Sequence, residues 1–230
     1  KRLMTIGNQT IQEGEWISID GTAGVVYEGQ LKTMVPDIKD PWLIKLLDGK
    51  PLPVAPHSKD PDATWGRGAS QQAKGYKLHL VFNGQPMPEA FDVRPISHAE
   101  NRVAREMMPR LTGPGYLVAD ANYDDNVLYD LASQQSLRLV APRARPKTGL
   151  GHHRQHPDRL RSIALLEAGP RVGNDFGRHL LHLRRLIETA FGNLTSFYAG
   201  LTHLPPWVRR LHRVRLYVHA KLLINAARIR

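Results

Sequence analysis

The stretch "IKLLDGKPLPV", residues 44–54, decides the fold, because an apolar run ends there on a carboxylate, Asp48, and Gly49, Pro51 and Pro53 follow. Glycine and two prolines are expected to stop the run. If "WLIKLL" (42–47) is a strand, Asp48 stands at its carboxyl end, where mixed α/β folds place their chemistry. If it is a helix, Asp48 is an unanchored turn residue before a glycine.

Downstream the pattern is regular. "GYKLHLVFNG" (75–84) reads as a strand ending in a turn, and "PEAFDVRPI" (88–96) as a second strand. "HAENRVAREMMPRL" (98–111) is an amphipathic helix, with Val103, Met107 and Leu111 at helical spacing. "GYLVADANYDD" (115–125) is a short buried strand that delivers Asp120 at its carboxyl end; "NVLYDLASQQ" is a helix and "LRLVAPR" a strand. With "WLIKLL" as first strand the order is β-β-β-α-β-α-β, which predicts a ribonuclease H-like α/β fold, a mixed sheet flanked by helices. Residues 143–161 are basic and broken by Gly and Pro, which predicts a loop. "FGRHLLHLRRLIETAFGNLTSF" (176–197) predicts one helix with Leu180, Leu183, Ile187, Phe191 and Leu194 on its apolar stripe and Glu188 one position off it. "WVRRLHRVRLYVHAKLLINAARI" (207–229) predicts a last helix with Leu211, Val214, Val218, Leu222 and Ile229 inward. Upstream, residues 3–29 alternate short β-rich runs with turns, and Asp20-Gly21 is a hairpin signal, so a small β-rich fragment precedes the main domain.

The net charge of +11 is uneven. Residues 1–47 carry 5 Lys and Arg against 6 Asp and Glu, residues 48–142 carry 10 against 11, and residues 143–230 carry 17 against 4. Such a basic third attracts a polyanion, and double-stranded DNA is the expected partner. Its contact candidates are Arg184, Arg185, Arg209, Arg210, Arg213, Arg215 and Lys221. The absence of cysteine excludes disulfides and thiolate zinc sites and fits a reducing cytoplasm. No apolar run approaches the roughly 18 residues that span a bilayer, so no membrane role is expected.

Three carboxylates stand out: Asp48, Asp120 and Glu188, separated by 72 and 68 residues. Two strand ends and one helix can converge in an α/β fold. Three converging carboxylates suit hard divalent cations, Mg²⁺ or Mn²⁺, which also bind substrate phosphates and support in-line phosphodiester displacement. Each also has an ordinary alternative: a turn residue for Asp48, a helix N-cap for Asp120, and an ion pair with Arg184 for Glu188. "GHHRQH" (151–156) lies on a basic loop with no acid nearby and reads as polar loop residues. Trp65, Tyr76 and Trp207 offer rings for bases, although packing is the commoner use of such residues.

The ordered motifs "DGKPLPV", "SKDPDATWGR", "KGYKLH", "YLVADANYDD", "LVAPRARP" and "RRLIETAFGNLTSF" resemble the catalytic domain of bacterial DDE insertion-sequence transposases, over residues 48–230. The resemblance implies Asp48, Asp120 and Glu188 as the three acids that hold the metal ions. The family's helix motif is Tyr, Arg three residues on, Glu four further and Lys seven beyond. Arg184 and Glu188 match it, whereas Leu181 stands in place of the Tyr and Thr195 in place of the Lys, which removes two phosphate-gripping groups. Residues 1–47 resemble instead the end of the phosphohistidine domain of pyruvate phosphate dikinase, through "EGEWISIDGT" and "KTMVPD". They contain no histidine to match the one phosphorylated in that family.

Together these resemblances imply a chain joined at 47/48, with "WLIKLL" replacing a lost first strand of the transposase domain. The function expected is metal-dependent DNA cleavage and strand transfer at element ends, impaired by truncation, by a homodimer at the prokaryotic nucleoid. The alternatives are a DNA-binding remnant without catalysis and a dikinase fragment. In a first strand of this kind Leu43, Ile44, Leu46 and Leu47 are buried beside "YKLHLVF", and Lys45 needs an acid partner or solvent.

Overall fold

The structure, a computed structural model, describes residues 3–6, 9–20, 25–29, 44–68, 71–150, 154–167, 176–196, 200–201 and 204–229. Two compact units divide the chain, residues 1–37 and 38–230. In the first, β1 (Leu3–Ile6) pairs antiparallel with β2 (Gln9–Gln12), and β3 (Ile17–Asp20) with β4 (Val25–Glu28). This agrees with the β-rich expectation, while Gly21 itself lies outside the described residues.

The second unit is built on a mixed sheet. Its strands are β5 (Ile44–Pro53), β6 (Thr64–Arg67), β7 (Gln72–Phe82), β8 (Ala90–Pro95), β9 (Gly115–Val118) and β10 (Leu137–Val140). The order across the sheet is β10-β9-β5-β7, with β6 and β8 both paired to β7. Strands β5, β7 and β8 run as an antiparallel meander, and β9 and β10 lie parallel to β5. With α1 (Glu100–Met107) between β8 and β9 and α2 (Asn126–Gln134) between β9 and β10, this is the ribonuclease H-like arrangement, to which β6 adds a short edge strand.

Both faces of the sheet are covered, so its central strands carry apolar residues toward both sides. On one face Ile44, Leu46, Leu78, Leu80 and Val118 pack with Leu180 of α4 (Phe176–Leu183), Ile187 and Phe191 of α5 (Arg185–Thr195), and Val214, Val218 and Leu222 of α6 (Leu211–Ile229). On the other, Leu47, Val81, Leu117 and Leu139 pack with Val103 and Met107 of α1 and Leu128, Tyr129 and Ala132 of α2. Lys45 is 1 % exposed in this second layer, and its Nζ donates to Glu89 Oε2 at 2.5 Å, the acid partner that its position demands. Leu43 lies outside the described residues.

The structure corrects several expected boundaries. Strand β5 does not stop at Asp48 but runs on through Pro51 and Pro53. Its partner β9 ends opposite Leu46, so from Asp48 onward β5 is paired with β7 alone. Two prolines of the same parity turn their nitrogens to the same edge, and an edge without a partner strand asks for no N–H. The helix expected over 176–197 is two helices, because the ladder tightens to i→i−3 bonds at the junction: Arg184 N donates to Leu181 O and Ile187 N to Arg184 O. The basic loop ends earlier than expected, since α3 (Pro157–Glu167) opens with Pro157 and Asp158, both suited to a first helical turn. Helix α1 is shorter than its pattern, passing into a 3₁₀ turn at Met108–Arg110 around Pro109. Helix α6 starts at Leu211, after Pro205 and Pro206, and Ile229 at its end is exposed instead of inward.

Candidate active site

Asp48 and Asp120 are brought together by strand register. Strands β5 and β9 run parallel, with Leu46 opposite Val118, so each carboxylate lies two residues beyond the last pair, on neighbouring strands about 4.8 Å apart. Side chains alternate along a strand, so Asp48 and Asp120 share the face of Leu46 and Val118, the one covered by α4, α5 and α6. Asp48 is held at its own backbone, its Oδ1 accepting Gly49 N–H at 2.7 Å. Asp120 caps the 3₁₀ turn Ala121–Tyr123, its Oδ1 accepting Asn122 N–H at 2.8 Å. The N-cap alternative thus holds for that turn, while Asp125 caps α2.

The environment concentrates negative charge. Burial pushes the Asp48 carboxyl up to about 6, against the opposing hydrogen bond from Gly49 and the charge of Arg184, and the Asp120 and Glu100 charges add to the rise. Burial and the Glu100 charge raise Asp120 as well. The Arg184 guanidinium lies 3.7 Å from Asp48 Oδ2 and partly compensates the pair. Hard oxygen donors with like charges at close quarters are what a hard divalent cation binds. The wholly buried Tyr123 hydroxyl, which has no hydrogen-bond partner, has Glu100, Asp48, Asp120 and Arg184 as its charged neighbours.

Glu188 stands differently. It occupies the first turn of α5, one turn beyond Arg184, and is exposed. Among the described residues no three His, Asp or Glu side chains stand close enough to hold one metal ion, so Glu188 is not gathered with Asp48 and Asp120 in this conformation. Arg184 pairs with Asp48, the alternative of a mere helical ion pair being unmet there. Thr195, in place of the motif's lysine, donates its hydroxyl to Phe191 O at 2.9 Å.

A second polar group lies beneath the pair, and sequence reasoning missed it. Lys77 Nζ donates to Glu100 Oε1 at 2.5 Å. Asn122 Nδ2 lies 3.3 Å from both Glu100 Oε2 and Asp120 Oδ2. His79, 1 % exposed, has neither ring nitrogen hydrogen-bonded, and burial lowers it to about 4. The signal was present: in "YKLHL" Lys77 and His79 alternate onto one face of a strand buried on both faces. Glu100 carries no such mark, opening an ordinary amphipathic helix.

The expected DNA contacts divide by what they touch. Arg210 is tied to Asp62 at 3.9 Å and Arg215 to Asp92 at 3.2 Å. Arg209 donates to Pro206 O, and the Lys221 ammonium lies over the Tyr217 ring, 5.4 Å from its centroid. Arg185 and Arg213 are exposed on α5 and α6. Tyr76 is a core residue bonded to Asp60, whereas Trp65 and Trp207 are exposed, Trp207 lying edge-on to Tyr217. His156 accepts Asp158 N–H at the start of α3, and His152 and His153 lie outside the described residues.

The family model described as the transposase DDE domain matches residues 43–224. The chain belongs to the DDE transposases. These enzymes act on DNA in transposition and generally use divalent metal ions. The match takes in all of β5, the strand expected to be a replacement. Nothing supports the dikinase resemblance of residues 1–47, and no curated protein matches the chain. Among the described residues no helix is long and apolar enough to cross a membrane.

Proposed function

We propose that this DDE transposase cuts and joins DNA at the ends of a mobile element, with Asp48, Asp120 and Glu188 as its metal-holding carboxylates. The observation that carries this is the register of β5 and β9, which sets Asp48 and Asp120 side by side on the face covered by the helix of Glu188. Mg²⁺ or Mn²⁺ bound there would supply Lewis acidity toward the phosphodiester and activate the attacking water. The chain's own residues do the rest. Buried strand ends fix the two aspartates, and Arg184 holds their charge in check until phosphate arrives, to which its planar guanidinium is also suited. Glu188 joins from α5 as the DNA is engaged, two copies of the chain serving the two ends. The exposed basic residues of α5 and α6 grip the backbone.

The test is nicking of a plasmid carrying the gene with its flanking DNA, in Mg²⁺ and in chelator. Cleavage at the element ends by the parent, and none by Asp120→Asn, supports the proposal; equal cleavage by both overturns the assignment. One observation favours a second reading, a DNA-binding protein without catalysis: the lack of a three-carboxylate group among the described residues. It predicts end binding with no metal-dependent cut.

A further inference from the structure

We propose that Glu100 is a positioning residue that sets the cation affinity of the Asp48–Asp120 pair from the opposite face of the sheet, with Lys77 as its resting counter-charge. This rests on the reading of that pair as the metal site. Four observations converge on it. First, Gly49, next to Asp48, turns to the face of α1, and a Cβ there would meet Lys77 Cδ at 3.1 Å, His79 Nδ1 at 3.4 Å and Glu100 Oε1 at 3.5 Å. A side chain there would crowd the Lys77 stem, while Glu100 and His79 stand at ordinary contact distance from the strand end. Second, Asn122 links the faces: its backbone N–H fixes Asp120 Oδ1, and its side chain lies between Asp120 Oδ2 and Glu100 Oε2. Third, two buried polar groups without a hydrogen-bond partner both have Glu100 as a charged neighbour, the Tyr123 hydroxyl and the His79 ring. A core of this kind does not leave such groups unpaired at no cost. Fourth, Lys77 and Glu100 are nearly enclosed, their side chains 9 % and 16 % exposed, so their charges are weakly screened.

The role follows from electrostatics and from the Asn122 link. Glu100 adds negative potential at two carboxylates and holds the amide that orients one of them, whereas Lys77 subtracts from that potential. Groups that hold ligand side chains from behind are worth about 10–100-fold in metal affinity. Glu100 and Lys77 should therefore act with opposite sign on cation binding, although each stabilises the fold by pairing the other.

That opposition is the test. Mn²⁺ binding to the full chain, without DNA, is measured by electron paramagnetic resonance for the parent, Glu100→Gln, Lys77→Met, the double variant and Asp120→Asn, with a thermal melt for each. Glu100→Gln should weaken Mn²⁺ about 10-fold, and Lys77→Met should tighten it, although both lower the melting temperature. Should Glu100→Gln fail to fold, the double variant, which leaves no unpaired charge, is compared with Lys77→Met and should bind about 10-fold more weakly. Parental Mn²⁺ affinity in Glu100→Gln, or weakening by both single variants alike, overturns the proposal and leaves the pair a structural clamp. If the parent binds Mn²⁺ no better than Asp120→Asn, the metal-site reading itself fails and takes this inference with it.

Discussion

The two sides of the candidate site are built on different principles. Asp48 and Asp120 stand on neighbouring parallel strands in the middle of a sheet covered on both faces, so backbone register alone sets them side by side. Glu188 stands on the first turn of α5, just past a junction where the helical ladder changes step, and is exposed. A carboxylate on a buried strand end is placed before any ligand arrives. One on a helix edge is placed by what binds. Under the proposed function, the strand pair would be the cation site of the DNA-free chain, and the helix would supply the residue that completes it for chemistry.

The largest effect that can break this contrast is a difference between two variants. Asp120→Asn should lose both Mn²⁺ binding without DNA and metal-dependent cleavage, the latter by about 10³-fold or more. Glu188→Gln should lose cleavage to a similar degree while keeping most of the DNA-free Mn²⁺ affinity. Equal loss of Mn²⁺ in both, by titration, would mean that Glu188 is already part of the site.

The next effect probes the strand that carries Asp48. Lys45 is buried against Glu89, which also accepts Thr112 N–H at 3.0 Å, so Lys45→Ala leaves a carboxylate short of its counter-ion inside the fold. A loss of about 3–5 kcal/mol is expected in urea unfolding. A loss below about 1 kcal/mol would mean that β5 is not anchored there and that Asp48 is loosely held.

A third, smaller effect is in the pH dependence of the metal-free chain. Asp48 is raised to about 6, so the native chain keeps a proton that the unfolded chain has released; this contribution favours the fold at low pH and is lost as pH rises through about 6. His79 is lowered to about 4, so the unfolded chain takes up a proton first; this contribution favours the fold above the usual 6.5 and is lost as pH falls toward 4. The two oppose each other between about 4 and 6. Asp48→Asn should therefore leave stability rising with pH across that window, and His79→Gln should leave it falling, in urea midpoints at pH 4.5 and 6.5. Like slopes in both variants would contradict one of the two burials.

The smallest effect concerns the helices. Neutralising Arg185 and Arg213, which are exposed, should reduce the slope of log K against log [salt] for duplex DNA by about 0.9 for each phosphate that the protein no longer neutralises. Neutralising Arg210 and Arg215, tied to Asp62 and Asp92, should change it less. The reverse order would put the DNA on the face where those aspartates lie.

The strands were readable in the sequence because a two-face buried sheet leaves plain apolar runs, and "YLVAD" and "IKLLD" each end on one of the two aspartates that the strand register sets side by side. Lys45 was readable for the same reason, since a charge at a doubly buried position must find an acid. What sequence could not show was the continuation of β5 past its prolines. That depends on β9 ending opposite Leu46, which is a fact about a partner strand. The break at Arg184 was hidden because the apolar stripe continues through it. Glu100 was hidden most completely, because its meaning comes from Gly49, Lys77 and Asn122, residues far from it in sequence.

The central claim is that Asp48 and Asp120 hold a cation between two strand ends. Crystals of the chain soaked in Mn²⁺ test it most directly, by the anomalous difference map at the manganese edge. The account predicts a peak within about 2.5 Å of an oxygen of both Asp48 and Asp120, absent in Asp120→Asn. A peak elsewhere, or Arg184 still seated against Asp48 with no peak beside it at saturating Mn²⁺, would contradict it.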